Sequence, residues 1–429
     1  MFKWIKSGIG IKRWICLSVI GIVCLSFAFI LMFRNVSLIW RLIAIVFATI
    51  GSLFVVFSAQ KLVKVSLISA NPVSKKQKCD ENKFANLVYD RRYLMKDPKI
   101  VAIGGGTGLS TMLRGLKAYT SNITAVVTMA DDGGGSGVLR EDLRMLPPGD
   151  IRNCILALAD TEPIMEKLLQ YRFEDGMLKG QCFGNLFLAA MNGISGNFEE
   201  AVQKMSDVLA VTGRVLPVSL YSLKLCAELE NGLIIHGESK ITRFLCQNSG
   251  RIKRVFLLPR EAEPLQEVLD AIMDADIIVL GPGSLYTSII PNLLVNGVTS
   301  AIRKSPALKA YVCNIMTQPG ETDKYTAYDH LKAIERHSYK GIIDKCIIND
   351  SKIPEKLKDK YRSENSEIVQ NDIDKILKEG IKVITGDYLK ITNGLVRHDS
   401  EKLARTIIEL TGSKCKKNAK RTASLYYIK

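Results

Sequence analysis

The residues best suited to chemistry in this chain sit in three glycine-rich stretches. In "IVAIGGGTGLSTMLRGL", residues 100–116, an apolar run enters Gly104, Gly105, Gly106, Thr107 and Gly108 and leaves with leucines at helical spacing. Glycines let backbone N–H groups approach a ligand closely, and a following helix presents its positive end, a combination that suits phosphate. The pattern departs from G-x-G-x-x-G and lacks the Lys-Ser/Thr of a P-loop, so a plain strand-to-helix turn stays open.

Asp131 and Asp132 follow at about 25 residues, the distance at which an acid commonly takes ribose hydroxyls. Two adjacent acids can instead hold Mg2+ against a diphosphate. Gly133, Gly134, Gly135, Ser136 and Gly137 then offer a second cradle of backbone donors, with a solvated acidic turn as the alternative. The third stretch, "LGPGSLYTSIIPNLL", supplies Gly281, Gly283, Ser284 and Thr287, whose hydroxyls either cap a helix or bind phosphate oxygens. Asn185, in "GQCFGNLFLAAM", either caps an apolar helix or presents its amide to a ligand. Asp150 and Asp160 are further carboxylates that could act as bases, but no nucleophile elbow, H-E-x-x-H or kinase set is present. Nucleotide binding is better supported than turnover.

These stretches need strands behind them. The runs "KIVAI", "ITAVVTM", "DIIVLGP", "AYVCNIM", "CIIND" and "IKVITG" alternate with amphipathic segments, which predicts an α/β domain: a parallel sheet with helices on both faces and ligands outside the strand ends. Between them "LPVSLYSLKLCAELENGLIIHGESKI" reads as an antiparallel insertion turning at Asn231-Gly232 and continuing to about Leu258.

The net charge of +16 lies at the ends: eleven basic residues and no acid in 1–79, six and none in 413–429, which leaves residues 80–412 at −1. A nucleic-acid enzyme would carry basic charge on its folded domain, so nucleic acid is not an expected partner. Two uncharged runs, residues 14–33 and 42–59, approach the roughly 20 residues needed to cross a bilayer. A cleaved signal or a buried core helix is the competing reading. Lysines and arginines gather outside the pair, which predicts a transmembrane hairpin over residues 1–60 with both termini and the main domain cytoplasmic. Residues 61–98 read as a linker with a short helix, 99–412 as the folded domain and 413–429 as a basic disordered tail. The ten cysteines and four histidines show neither disulfide-framework nor zinc spacing.

Taken in order, "VAIGGGTGLSTMLRGLK", "DDGGGSGVLR", "LPPGDIRNC", "FGNLFLAA", "GPGSLYTSIIPNLLV", "CNIMTQPGETDKYTAYDH" and "LVRHDSEKLA" closely resemble the YvcK family of gluconeogenesis factors, over about residues 98–411. That family is similar in fold to the 2-phospho-L-lactate transferases. The resemblance implies a Rossmann-like domain that binds UDP-sugars, notably UDP-N-acetylglucosamine, and acts in cell shape and cell-wall homeostasis during gluconeogenic growth. It nominates the glycines 104–106 with Thr107 and Gly108, Asp131, Asp132, Asn153, Asn185, Gly283, Ser284 and Arg397 as ligand contacts. Where relatives typically read G-H-S, this chain has Gly180, Gln181 and Cys182, and its glycine run at 133–135 is fuller than usual. The leading expectation is a tethered, non-catalytic sensor that controls a protein partner, with homo-oligomerisation left open. The alternative is an Mg2+-dependent phosphotransferase using Asp131 or Asp132; an NAD dehydrogenase is disfavoured by the missing fingerprint.

Overall fold

The structure, a computed structural model, describes residues 11–33, 38–67, 98–248 and 250–412. The chain divides into two units, residues 1–96 and 97–429.

The strands of the larger unit are, in chain order, β1 (Ile100–Gly104), β2 (Ile123–Val127), β3 (Arg214–Pro217), β4 (Lys224–Leu229), β5 (Ile234–His236) and β6 (Ile252–Leu258). They continue with β7 (Ile277–Leu280), β8 (Leu308–Val312), β9 (Lys345–Asn349), β10 (Lys382–Gly386), β11 (Leu389–Thr392) and β12 (Leu395–His398). Seven of them form one sheet in the order β10-β9-β8-β7-β1-β2-β3, parallel throughout. Every residue of β1, β2 and β7 is buried, which is why these strands read as unbroken apolar runs rather than alternating ones. The expected α/β, Rossmann-like sheet is present. Its edge strand β3 has four residues beginning on an exposed arginine, too short and too mixed to stand out in the sequence.

The predicted antiparallel insertion is a three-stranded sheet, β5-β4-β6, whose hairpin turns at Asn231-Gly232. A helix, Glu238–Gln247, interrupts it between β5 and β6. The leading "LP" of the quoted stretch ends β3 in the main sheet instead.

After β1 the chain turns into the helix Gly106–Leu116, which buries Leu109, Met112, Leu113 and Leu116 on one face. A second helix, Ser400–Leu410, crosses it at Gly115, where a Cβ would run into the Ser400 carbonyl oxygen. Asp399 caps that crossing helix by accepting the N–H groups of Glu401 at 3.0 Å and Lys402 at 3.1 Å. The cap fixes where the helix starts, and hence where β12, immediately before it, leaves Arg397.

In the smaller unit the helices Ile11–Phe33 and Leu38–Leu67 pack against each other, approaching closely at Gly21 and Gly51, with the Phe27 and Phe47 rings edge to face at 5.4 Å. Val19, Val23, Phe29, Leu53 and Val56 stay exposed. Among the described residues, one segment, Ile39–Gln60, is long and apolar enough to cross a membrane, while the apolar stretch Ser18–Met32 is shorter. The expected pair of spans is therefore reduced to one of sufficient length. The second helix continues to Leu67, and the rest of the predicted linker, like the tail at 413–429, lies outside the described residues.

Filling the Gly115 crossing tests this packing. Gly115→Val is expected to cost about 1–3 kcal/mol by overpacking, read as a lower urea midpoint for unfolding of the purified protein.

Candidate functional site

The chain builds β1, β2 and β3 outward in one direction, then returns to lay β7 on the other side of β1 and runs outward again. Between the carboxyl ends of β1 and β7 lies the switch point at which open α/β sheets bind ligands. Both strands end there in glycine loops, and the loops touch. A Cβ on Gly108 would lie 2.6 Å from the Pro282 carbonyl oxygen and 3.0 Å from the Gly283 nitrogen. Asn314, just past β8, clamps the second loop by accepting the Gly283 N–H at 3.2 Å and donating to the Gly283 carbonyl at 2.8 Å.

A cleft of about 440 Å3 opens over this junction, lined on its floor by Gly105, Gly106, Thr107, Gly108, Gly283 and Ser284. The Gly106–Leu116 helix begins in it with no side-chain cap, so its positive end faces the cleft. Opposite stand Tyr361, Arg397 and His398. Arg397 is exposed on β12 and makes no ion pair among the described residues. His398 hydrogen-bonds the Cys313 carbonyl at 3.2 Å through Nε2, and burial depresses its pKa to about 4, so the ring is neutral.

A second cavity of about 430 Å3 adjoins the first, with Ser284 and Gln318 lining both. Its walls carry Asp131, Glu238 and Glu321 together with Ser239, Thr242, Arg243 and Thr287. Burial pushes Glu321 up to about 7, against the pull of the Thr287 hydroxyl. Glu238 is raised well above the ordinary range by burial and then by the charges of Asp131, Asp150, Glu321 and Asp132. Asp131 is also raised by burial, although the Gly133 N–H and Ser136 hydroxyl favour its charged form. Asp150 lies under the first loop, where burial and the nearby Asp131 charge outweigh the Gly106 N–H and Arg152 and lift it to about 6.

The remaining sequence candidates sort by position. Gly133 lines the acidic cavity, but the 133–137 loop chiefly holds Asp131, whose Oδ1 accepts the Gly133 N–H at 2.9 Å; Ser136 is buried beside it. Asp132 points elsewhere, accepting the Ser239 N–H at 2.8 Å where the Glu238–Gln247 helix begins. Among the described residues no three His, Cys, Asp or Glu side chains form a group that could hold a metal ion. Gly281 closes β7, donating to the Ile103 carbonyl at 2.9 Å. Ser284 and Thr287 cap nothing; Thr287 donates to Glu321 Oε1 at 3.4 Å, at the head of a single π-turn. Asn153 accepts from Arg152 at 2.7 Å and, like Asn185, lines neither cavity. Gln181 and Cys182, buried before the Phe183–Ile194 helix, lie outside both as well. Sequence reasoning passed over Asn314, Gln318, Glu321 and Glu238. The first three lie in or beside "CNIMTQPGETDKY", where a strand end, a proline and a glycine were the available signal.

Residues 100–389 match the family of the 2-phospho-L-lactate transferase CofD. The chain belongs to this family. Within it, the gluconeogenesis factor of Bacillus subtilis is 50% identical over 73% of this chain and 98% of its own length. A gluconeogenesis-factor homologue from Clostridium acetobutylicum is 52% identical over 95% of this chain and 91% of its own length, so that likeness extends into the smaller unit. The crystal structure of a UPF0052-family protein from Bacillus halodurans superposes with a TM-score of 0.69 at 48% identity, covering 72% of this chain and 98% of that one. Arg397 lies beyond the CofD match, on the strand that the capped helix holds over the cleft.

The raised acids give the family fold here a defined pH response. Asp150, at about 6 against an ordinary 3.8, and Glu321, at about 7 against 4.5, bind protons more readily folded than unfolded. Their stabilising share is complete below about pH 4 and is lost as pH rises through 6 and 7. They lower the thermal midpoint between about pH 5 and pH 8, against an opposing contribution from His398, whose depressed pKa of about 4 adds stability as pH rises to about 6.5. Asp150→Asn should recover on the order of 2 kcal/mol at pH 8 and flatten the slope, as scanning calorimetry at both pH values will show.

Proposed function

We propose that the chain is a membrane-tethered regulator whose ligand is a UDP-sugar, UDP-N-acetylglucosamine first, and that it serves cell morphogenesis and cell-wall homeostasis during gluconeogenic growth. The observation that carries this reading is the pairing of two uncapped glycine loops at the β1/β7 switch point with Arg397 across a cleft of about 440 Å3. Its size suits a nucleotide-sized ligand. Backbone N–H groups and a helix end accept a diphosphate, and the Arg397 guanidinium offers a planar fork to phosphate or to a uracil carbonyl. The relatives named gluconeogenesis factor support the physiological setting. Tethering rests on Ile39–Gln60, the apolar segment of sufficient length among the described residues of the smaller unit, with the main domain on the cytoplasmic side. A regulator of this kind works through a protein partner, because the ligand shifts only an equilibrium whose two states it binds unequally.

A second reading, phospho-transfer, is favoured by the family match. It asks Asp131 or Asp132 to hold a magnesium ion on a diphosphate. Asp131 lines the second cavity, and each carboxylate accepts one N–H, from Gly133 and Ser239 respectively.

Calorimetric titration with UDP-N-acetylglucosamine, UDP-glucose, UDP and NAD separates these readings. Selective binding of the amino sugar is expected, weakened about 10- to 100-fold by Arg397→Ala, the worth of one charge-assisted hydrogen bond. Preference for NAD, or no nucleotide binding, overturns the proposal.

A further inference from the structure

The acid-lined cavity beside the cleft has no part in holding a nucleotide diphosphate. Its walls are built all the same. Glu321 is 4% exposed; its Oε1 accepts from Gln318 Nε2 at 2.7 Å and from Thr287 Oγ1 at 3.4 Å, which fixes the carboxyl plane. Its other oxygen, Oε2, is buried without a close hydrogen bond, although the Thr242 hydroxyl and the Tyr286 N–H also favour the charged carboxylate, and Oε2 of Glu238, another wall residue, is likewise buried and unbonded. A buried acceptor left unmade costs on the order of 1–3 kcal/mol, so two carboxyl groups with spare acceptor capacity on one cavity suit donors that a ligand brings.

The rest of the lining narrows the ligand class. Ser239, Thr242 and Thr287 contribute hydroxyls and Arg243 contributes a guanidinium at the exposed side. A site for a bare cation would be lined by oxygen acceptors alone. Here donors and acceptors are mixed around about 430 Å3, which fits a ring carrying several hydroxyl or amide groups. Continuity supplies the rest: Ser284 and Gln318 line both cavities, so a molecule with its diphosphate over the glycine loops reaches directly into this one.

We infer that this cavity is the subsite for the sugar of the nucleotide sugar, and that Glu321 and Glu238 set selectivity for the sugar while the glycine loops and Arg397 hold the nucleotide. The inference rests on the nucleotide-sugar reading above. The shift of Glu321 to about 7 agrees with it, since a carboxyl that is partly protonated near neutrality can donate to a neutral ring as well as accept from it, and burial moves Glu238 in the same direction.

The test compares UDP-N-acetylglucosamine with UDP on the full chain by calorimetry. The wild type is expected to bind the sugar nucleotide at least tenfold more tightly than UDP. In Glu321→Gln that advantage is expected to fall below threefold, with UDP affinity unchanged within twofold. Thr242→Ala, at a half-buried wall position, is expected to reduce the advantage in the same direction, and UDP binding reports that each variant is folded. If the wild type binds UDP and the sugar nucleotide equally, or if Glu321→Gln weakens both alike or neither, the subsite is wrong and the nucleotide site stands. If the wild type binds neither, the parent reading fails and carries this one with it. Magnesium chloride titrated alone, giving heat that Glu321→Gln abolishes, would assign the cavity to a cation and overturn the inference.

Discussion

The contact between Gly108 and the Pro282-Gly283 peptide is the constraint on which the rest of the larger unit turns. Two strands that are neighbours in the sheet but distant in sequence must end at the same height and bend apart without a side chain between them. Only then can the Gly106–Leu116 helix start over the crevice with its N-terminal groups facing a ligand. The surrounding features enforce that arrangement. Asn314 fastens the Gly283 peptide from β8, Asn292 Nδ2 reaches the Gly104 carbonyl at 3.1 Å from below, and the Ser400–Leu410 helix presses on Gly115 from outside. The site is thus set by backbone contacts among rigid strand ends.

Beneath this ordered backbone lies an electrostatic cost. Asp131, Asp150 and Glu321 raise Glu238, and Asp131 raises Asp150, while Arg140 is drawn off to the Asp131 and Leu223 carbonyls, at 3.2 and 2.5 Å, and to the Ser222 hydroxyl. A core optimised for stability would pair these groups or replace them with apolar ones. Acids that are buried, mutually repelling and open to a cavity are more often explained by what they bind than by what they stabilise.

Much of this was legible in the sequence, for identifiable reasons. Six of the seven parallel strands announce themselves as apolar runs, three of them because burial along their whole length demands it, and three glycine clusters follow such runs. What escaped reading depends on distances through space. Asp131 and Asp132 look alike on paper; one faces the cavity and the other caps a helix because the insertion brings Ser239 against it. Glu321 and Glu238 are separated by eighty-odd residues, and only the packing of the insertion helix against the β8 segment puts them on one cavity. Arg397 was reachable from the sequence through family likeness alone, since a hairpin arginine has no periodicity to mark it. The membrane segment was overread: two uncharged runs of similar length gave, among the described residues, one span of sufficient length.

The two functional readings make opposite demands on the same acids. A divalent cation would bind these carboxylates ionised and pull their pKa values down by its own charge, whereas a neutral ring meets them as the protein alone sets them. Glu321 is lifted to about 7 by burial, and no lysine or arginine dominates the causes at Glu238 or Asp150, where desolvation comes first and neighbouring carboxylates add to it. Near neutrality Glu321 is divided between its acid and its anion, so it can donate to a neutral ring or accept from it. Buried acids beside the glycine loops are thus what any ligand of this cavity has to satisfy, whether through the hydrogen bonds of a neutral ring or the charge of a cation.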